Sequence, residues 1–512
     1  MNKILILLAA ATCALAGSQT QDFAARLSDY HDESGHGDRM MLCSEMPGER
    51  KLQVTFFSLN NAQEFLTGAN NANLKEITPV EFQETKKRKN CSMNVDDMAI
   101  NYGLKRSWTR LNGDMSQTVN VPNVPFLRIG HAYCDTDHDA TECIPSLVSA
   151  GEGYIKEGKS VSEVFYQGVD ISSYQKVIAE TPALKRELPE LEQSTFSILN
   201  ELNYPNKYTL NSDSDSYGKI MLMDDQSELM WWKSSSSDAI CSQFPGTTGD
   251  LMFPGKITEQ SVLHFYSEDT CTTATLKFAN KDTSFGFNAL KFVLYPLESQ
   301  GHTSSCYCTD GNCLPQGAIN VKNCQRGLPY IMSYPHFYDG DNSYRQNLVG
   351  MSPDEAKHQS YFIIEPVTGM IIESSQKYQV NVDVKPFAHP DQGLVGGFKD
   401  SIVPLYWFNK QFKLDETHIK AIKAMLENPS TGTTSPTTVK PVVGDDSETL
   451  AEVQQKLRDI WTQIHVMSVV VFTFIVLAVL VLAGFSIVQF RESKKRRNAP
   501  VLPAYAAYET KQ

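Results

Sequence analysis

The sequence predicts an α+β fold dominated by antiparallel sheet, held at a membrane by one C-terminal helix. Three observations carry this reading. Short alternating or β-branched segments recur through the chain, punctuated by Gly, Pro, Asn and Asp. The run Val466–Phe490 holds 25 residues without a charge. Ahead of it stand ten cysteines, once a leader carrying Cys13 is removed, an even number that fits an oxidising compartment.

From the N-terminus, Met1-Asn2-Lys3 precedes an apolar stretch from Ile4 to Gly17 with a small-residue site at Ala14-Leu15-Ala16. Fourteen helical residues would span about 21 Å, short of the ~30 Å hydrocarbon core. Residues 1–16 are therefore predicted to be a signal peptide rather than a retained anchor. Length alone would allow three or four domains. Yet residues 17–427 show no internal linker and no repeat, and read as one ectodomain. Strand patterns fall at Leu52–Phe57, Lys219–Met223, Thr275–Phe278, Tyr361–Ile364 and Tyr378–Val384, and helical ones at Asn61–Leu66, Ser160–Tyr166, Tyr174–Leu191 and Glu416–Leu426.

Residues 428–446 are a Ser/Thr/Pro-rich stalk that cannot bury a core. Residues 447–465 carry Leu450, Val453, Leu457, Ile460 and Ile464 on one face of a membrane-proximal helix. Residues 466–490 are the transmembrane helix, and 491–512 a tail that opens with Arg491, Lys494, Lys495, Arg496 and Arg497. Such a cluster stays cytoplasmic, which places residues 17–465 outside the cell or in a lumen. The chain has 46 Lys+Arg against 59 Asp+Glu, a net charge of −13. An acidic balance argues against nucleic acid as a partner.

The ten cysteines are Cys43, Cys91, Cys134, Cys143, Cys241, Cys271, Cys306, Cys308, Cys313 and Cys324. The cluster from Cys306 to Cys324 has the density of a zinc site, but a lumenal setting and the lack of a nearby paired His argue for disulfides and against metal. Cys134 and Cys143 are close enough in sequence to close a small loop.

The segment CYCTDGNCLPQGAINVKNCQRGLPYIMSYPHFYDGD, followed by NLVGMSPDEAKHQSYFIIEPVTG, resembles the class B scavenger receptor family, which includes fatty-acid translocases, lysosomal integral membrane proteins and insect sensory-neuron membrane proteins. The shared pattern is the Cys-rich loop, a Pro335-His336-Phe337 strand, the step from Gly350 through Pro353 to His358, and the turn Pro366-Val367-Thr368-Gly369. Further matches are Leu52–Phe82, Ser160–Gly168, Cys241 through Gly246-Thr247-Thr248-Gly249 to Phe253-Pro254, and Ile402–Trp407.

The resemblance implies a β-barrel-like ectodomain with an internal apolar tunnel and a short apical helical bundle. It implies the disulfides Cys241–Cys306, Cys271–Cys324 and Cys308–Cys313, which leaves Cys43 for Cys91 by elimination. The usable glycosylation sequon is Asn90-Cys91-Ser92. In the apical stretch, Lys156, Lys159, Lys185 and Arg186 are candidate contacts for anionic headgroups, set against a plainer role as Glu-paired surface.

No Gly-x-Ser-x-Gly elbow, His-Glu-x-x-His helix or P-loop occurs, so no catalytic residue, cofactor or metal is expected. Asn211–Leu222 imitates a calcium loop but has Ser216 and Leu222 where Gly and Glu belong, and reads as a polar hairpin. His336 and His358 lie near Asp339 and Glu355 in sequence. The resemblance makes them structural, hydrogen-bonded rather than reactive. The expected function is a scavenger-type receptor at the plasma membrane or in endosomes and lysosomes. It would bind fatty acid, sterol, other lipid or lipoprotein and pass apolar ligand to the membrane. The alternative is a receptor for a lumenal protein cargo. A lumenal enzyme has no motif behind it.

Overall fold

A computed structural model describes residues 47–94, 98–131, 153–180, 194–201, 204–213, 216–232, 242–244, 246–297, 307–308, 313–389, 393–395 and 397–427. The predicted signal peptide, stalk, membrane-proximal helix, transmembrane helix and tail lie outside these residues. So do Cys43, Cys134, Cys143, Cys241, Cys306, Lys185 and Arg186. Among the described residues no helix is long and apolar enough to cross a membrane.

Strand β1 (Glu49–Leu59) has the alternation of a sheet with one buried face: Leu52, Val54 and Phe56 are buried while Lys51 and Gln53 are not. A short helix, Ala62–Leu66, leads to β2 (Ala72–Glu76) and then to the long hairpin β3 (Val80–Asn94) and β4 (Ala99–Asn112). Two small ribbons follow, β5 (Thr118–Pro122) with β6 (Ile155–Ser160), and β7 (Val169–Asp170) with β8 (Thr195–Phe196). Helices Val124–Ile129, Ser172–Glu180 and Ile198–Glu201 stand among them.

The helix predicted from Ser160 begins later, as a π-turn over Glu163–Gln167, because Ser160 is the last residue of β6. The Glu163 carboxylate accepts from the Ser160 N–H (2.8 Å) and hydroxyl (2.7 Å), and Ser160 Oγ accepts from the Glu163 N–H (3.2 Å), a reciprocal cap.

The remaining strands are β9 (Lys207–Asn211), β10 (Ile220–Met223), β11 (Val262–Ser267), β12 (Thr272–Asp282), β13 (Ala289–Leu294), β14 (Ala318–Asn320), β15 (Tyr330–Ser333), β16 (Leu348–Val349), β17 (Tyr361–Ile364), β18 (Ile371–Val384), β19 (Phe387–His389), β20 (Gly393–Val395) and β21 (Ser401–Lys413). The helix Glu416–Glu427 follows. One 15-stranded sheet has the order β10-β9-β4-β3-β1-β21-β18-β17-β13-β12-β11, with β2, β14, β15 and β16 attached beside this path. Its pairings are antiparallel apart from β2 with β16. The fold is thus α+β with sheet dominant.

The two ends of the path are joined through one residue. Thr247 bridges to Lys219, next to β10, and to Phe265 on β11. The Thr247 N–H donates to the His264 carbonyl (3.2 Å), the Tyr266 N–H donates to the Thr247 carbonyl (2.9 Å), and the Ile220 N–H donates to the Gly246 carbonyl (3.0 Å). The segment Gly246–Gly249 therefore closes the sheet on itself.

Pro335-His336-Phe337 is a one-turn 3₁₀ segment directly after β15, not a strand. Proline has no N–H to continue the ladder. His336 and Phe337 both turn left-handed, at φ 55° and 54°. The His336 N–H, lost to the sheet, donates instead to Gln379 Oε1 at 2.7 Å.

Candidate functional site

The register aligns one wall of side chains across the middle of the sheet. Leu52 faces Lys410, Val54 faces Phe408 and Phe56 faces Tyr406 between β1 and β21. Val380 faces Tyr406, and Met332 faces Val380, across β18 and β15. All of these except Phe56, together with Phe165, Val321 and Tyr330, line a narrow apolar cavity of about 30 Å³.

One part of its lining is polar. Lys410 Nζ lies 2.6 Å from Asp269 Oδ1, the Tyr204 hydroxyl donates to the same carboxylate oxygen (3.1 Å), and Gln325 stands in the same lining. Burial acts to discharge Lys410, but Asp269, Glu84 and Glu268 outweigh it and raise its pKa, so the ammonium stays charged.

Beside this pair runs a buried charge network. Lys86 reaches Asp250 at 2.8 Å and Glu268 at 3.9 Å, Arg106 is paired with Glu268, and the Tyr208 hydroxyl donates to Glu268 at 2.7 Å. Burial works against the Glu268 carboxylate. Arg106 and Lys86 overcome it and hold its pKa below the usual range.

The two histidines come together elsewhere. His336 and His358 stack with ring centroids 4.5 Å apart and planes 13° from parallel. The Ser352 N–H donates to His336 Nδ1 and the Asp354 N–H to His358 Nδ1, both at 3.0 Å. Each Nδ1 is an acceptor, so each neutral ring carries its proton on Nε2. His336 Nε2 lies 2.9 Å from Glu76 Oε1, which also accepts from Trp407 Nε1. The acid partner is therefore Glu76, far away in sequence, and not Asp339. Both ring nitrogens of His336 are occupied in holding β2 and the Gly350–His358 step, which is a structural arrangement.

The sequence pattern of the CD36 family matches residues 37–444. The chain belongs to the CD36 family. It is 25% identical over 390 residues to lysosome membrane protein 2 of Homo sapiens, covering 73% of this chain and 77% of that protein. It is 25% identical to sensory neuron membrane protein 1 of Pediculus humanus subsp. corporis over 75% of this chain and 77% of the relative. It is also 25% identical to scavenger receptor class B member 1 of Cricetulus griseus, over 72% and 71% respectively. These are the relatives expected of a class B scavenger receptor.

In this CD36-family chain, Cys271 is bonded to Cys324 and Cys308 to Cys313. Cys91 is also disulfide-bonded, to a partner outside the described residues. Asn90 is exposed, at φ 52°. Of the candidate apical cations, Lys156 lies 5.8 Å from the Tyr174 ring centroid and Lys159 pairs with Glu163 at 3.8 Å. Neither lines the cavity between β1, β21, β18 and β15, while Lys156 lines a separate small pocket with Val121, Val169 and Phe196. Sequence reasoning missed Lys410 and Asp269. The available signal was a Lys breaking the apolar alternation Tyr406, Phe408, Lys410.

The histidine stack makes a testable pH dependence. Burial, with the neighbouring His336, lowers the His358 pKa from 6.5 to about 4. The unfolded chain takes up this proton below about pH 6.5 and the folded chain does not. His358 therefore removes stability as pH falls from about 6.5 to about 4, and has no effect above that window. His358→Asn keeps an acceptor for the Asp354 N–H. The fall in melting temperature across this window is expected to be several degrees smaller in the variant. Parallel melting curves for the two proteins at all pH values would refute the assignment.

Proposed function

We propose that this chain is a membrane-anchored scavenger-type receptor whose barrel takes up lipid and passes its apolar part to the membrane. The observation that carries the reading is the apolar cavity between β1, β21, β18 and β15, polar only around Lys410, Asp269, Tyr204 and Gln325. Each methylene removed from water contributes roughly 0.8 kcal/mol, so ten methylenes gain roughly 8 kcal/mol before the costs of association. Such a ligand needs a lined slot rather than many specific contacts. The cavity is thin, and a chain entering it displaces side chains such as Met332, whose flexible thioether adapts readily. A tunnel joining the cavity to the membrane, and the anchor at 466–490, belong to this proposal, with relatives named as membrane proteins in support.

Val380→Phe fills the cavity at a wall position buried to 3% exposure. Overpacking is expected to cost about 1–3 kcal/mol and leave the protein folded. Lipid extracted from the purified full-length variant and identified by mass spectrometry should lack the species bound in stoichiometric amount by the wild type, while surrounding membrane lipid is unchanged. Identical lipid content in both would sink the proposal and direct attention to a protein cargo.

A further inference from the structure

The hairpin β3–β4 is charged on both faces, and the two faces are treated differently. Inward, Lys86 and Arg106 reach Asp250 and Glu268, and Arg88 lies 4.8 Å from the Tyr102 ring centroid. Outward, Lys87 stands directly opposite Lys105, and Lys89 opposite Gly103. Gly103 in turn stands opposite Lys207 on β9. Directly opposed residues share a face, with Cβ atoms about 5 Å apart. Four lysines on three neighbouring strands therefore surround one position without a side chain.

Lys87, Lys89 and Lys105 are exposed. No described residue forms an ion pair with any of them. Lys207 is paired with Asp225 at 2.6 Å. A Cβ at Gly103 would meet only the Lys89 and Asn206 carbonyl oxygens, at 3.6 and 3.7 Å, so the floor of the patch is an open recess. Like charges directly opposite one another destabilise a sheet. In a chain of net charge −13, with an acid supplied to Lys86 and Arg106 on the inner face of the same hairpin, the outer face lacks the compensation that the fold provides elsewhere.

We propose that this face docks a sulfated polysaccharide chain. Lysine is a compact charge on a flexible stem, suited to a row of closely spaced oxyanions rather than to one forked ligand. A thin linear polyanion lies in the Gly103 recess with lysines on both sides. A flat bilayer would meet the lysine tips alone and bring the acidic body of the protein towards like charge. The surface is separate from the lipid cavity.

The test is binding of the purified full-length chain to immobilised heparin across a salt series. The wild type should bind at about 150 mM salt. The triple variant Lys87→Gln, Lys89→Gln, Lys105→Gln should bind at least about tenfold more weakly, with the slope of log affinity against log salt reduced by about two to three. A control triple, Lys281→Gln, Lys357→Gln, Lys420→Gln, removes exposed lysines that are paired with Glu259, Asp354 and Glu416 and should bind as the wild type does. Gly103→Asp puts a carboxylate on the floor and should weaken binding while the melting temperature stays near that of the wild type. Unchanged heparin affinity in the first triple, or equal loss in both triples, overturns the proposal. So does patch-dependent binding to phosphatidylserine-containing vesicles with no binding to heparin.

Discussion

Gly246→Val is expected to yield no stably folded protein. A Cβ at this position would sit 2.0 Å from the His264 carbonyl oxygen, 2.3 Å from its carbon and 2.8 Å from the Phe265 nitrogen. All three are backbone atoms of β11, so no side-chain rotation relieves the clash. The chain must move away, and with it goes Thr247, whose hydrogen bonds join β11 to the β10 end of the sheet. Exposing that seam unpairs buried backbone groups and opens the interior. The cost should exceed about 4 kcal/mol, against a total stability of roughly 5–15 kcal/mol for a typical domain. Yield of the purified full-length protein and its melting curve report the result. Gly153→Ala is the control: nothing lies within 4 Å of a Cβ there, and its effect should stay within about 0.5 kcal/mol. A Gly246→Val protein melting like the wild type would show that Gly246–Gly249 does not hold the two ends of the sheet together.

Glu268→Ala should be the next most damaging change, at about 3–5 kcal/mol. It strips the carboxylate from Arg106, whose side chain is 7% exposed, and leaves Lys86 with Asp250 alone. The Tyr208 hydroxyl also loses its acceptor. The pair itself need not stabilise the fold, because both charges gave up hydration to form it. The double variant Arg106→Met, Glu268→Leu should therefore recover most of the loss. Because the Glu268 pKa is depressed in the fold, its contribution is complete above the pKa of an unfolded Glu, about 4.3, and is lost as pH falls through the lower folded value. Chemical denaturation of the wild type, the single and the double variant at neutral pH measures the cycle. A single variant within about 1 kcal/mol of wild type would mean that water reaches Arg106 and replaces the carboxylate.

The hairpin β3–β4 shows where reading the sequence stops. Residues 80–112 include Glu84, Lys86, Lys87, Arg88, Lys89, Lys105 and Arg106, which break the apolar alternation of Val80, Phe82, Ile100, Tyr102 and Leu104 into pieces too short to mark two long strands. Sheet pattern is recognised when one face is apolar. Here part of the inward face is itself charged, at Lys86 and Arg106, made tolerable by Asp250 and Glu268, which lie more than 160 residues away. The strands β1, β17 and β18, by contrast, carry Leu52, Val54, Phe362, Tyr378 and Val380 against an apolar interior, and their periodicity was legible. The histidines follow the same logic. Proximity in sequence pointed to Asp339, but the acid that meets His336 is Glu76, brought there by the pairing of β2 with β1.

By itself the sequence determined the family, through short ordered motifs, and the sheet-dominated class, through period-two burial. Both are encoded in local spacing along the chain. Only the tertiary structure decided which charges are neutralised, where the cavity lies and how the sheet closes. Each of those depends on groups that are distant in sequence: Lys410 with Asp269, Arg106 with Glu268, Thr247 with both Lys219 and Phe265. A buried charge is stable only beside its partner, and the identity of that partner is a property of the folded chain.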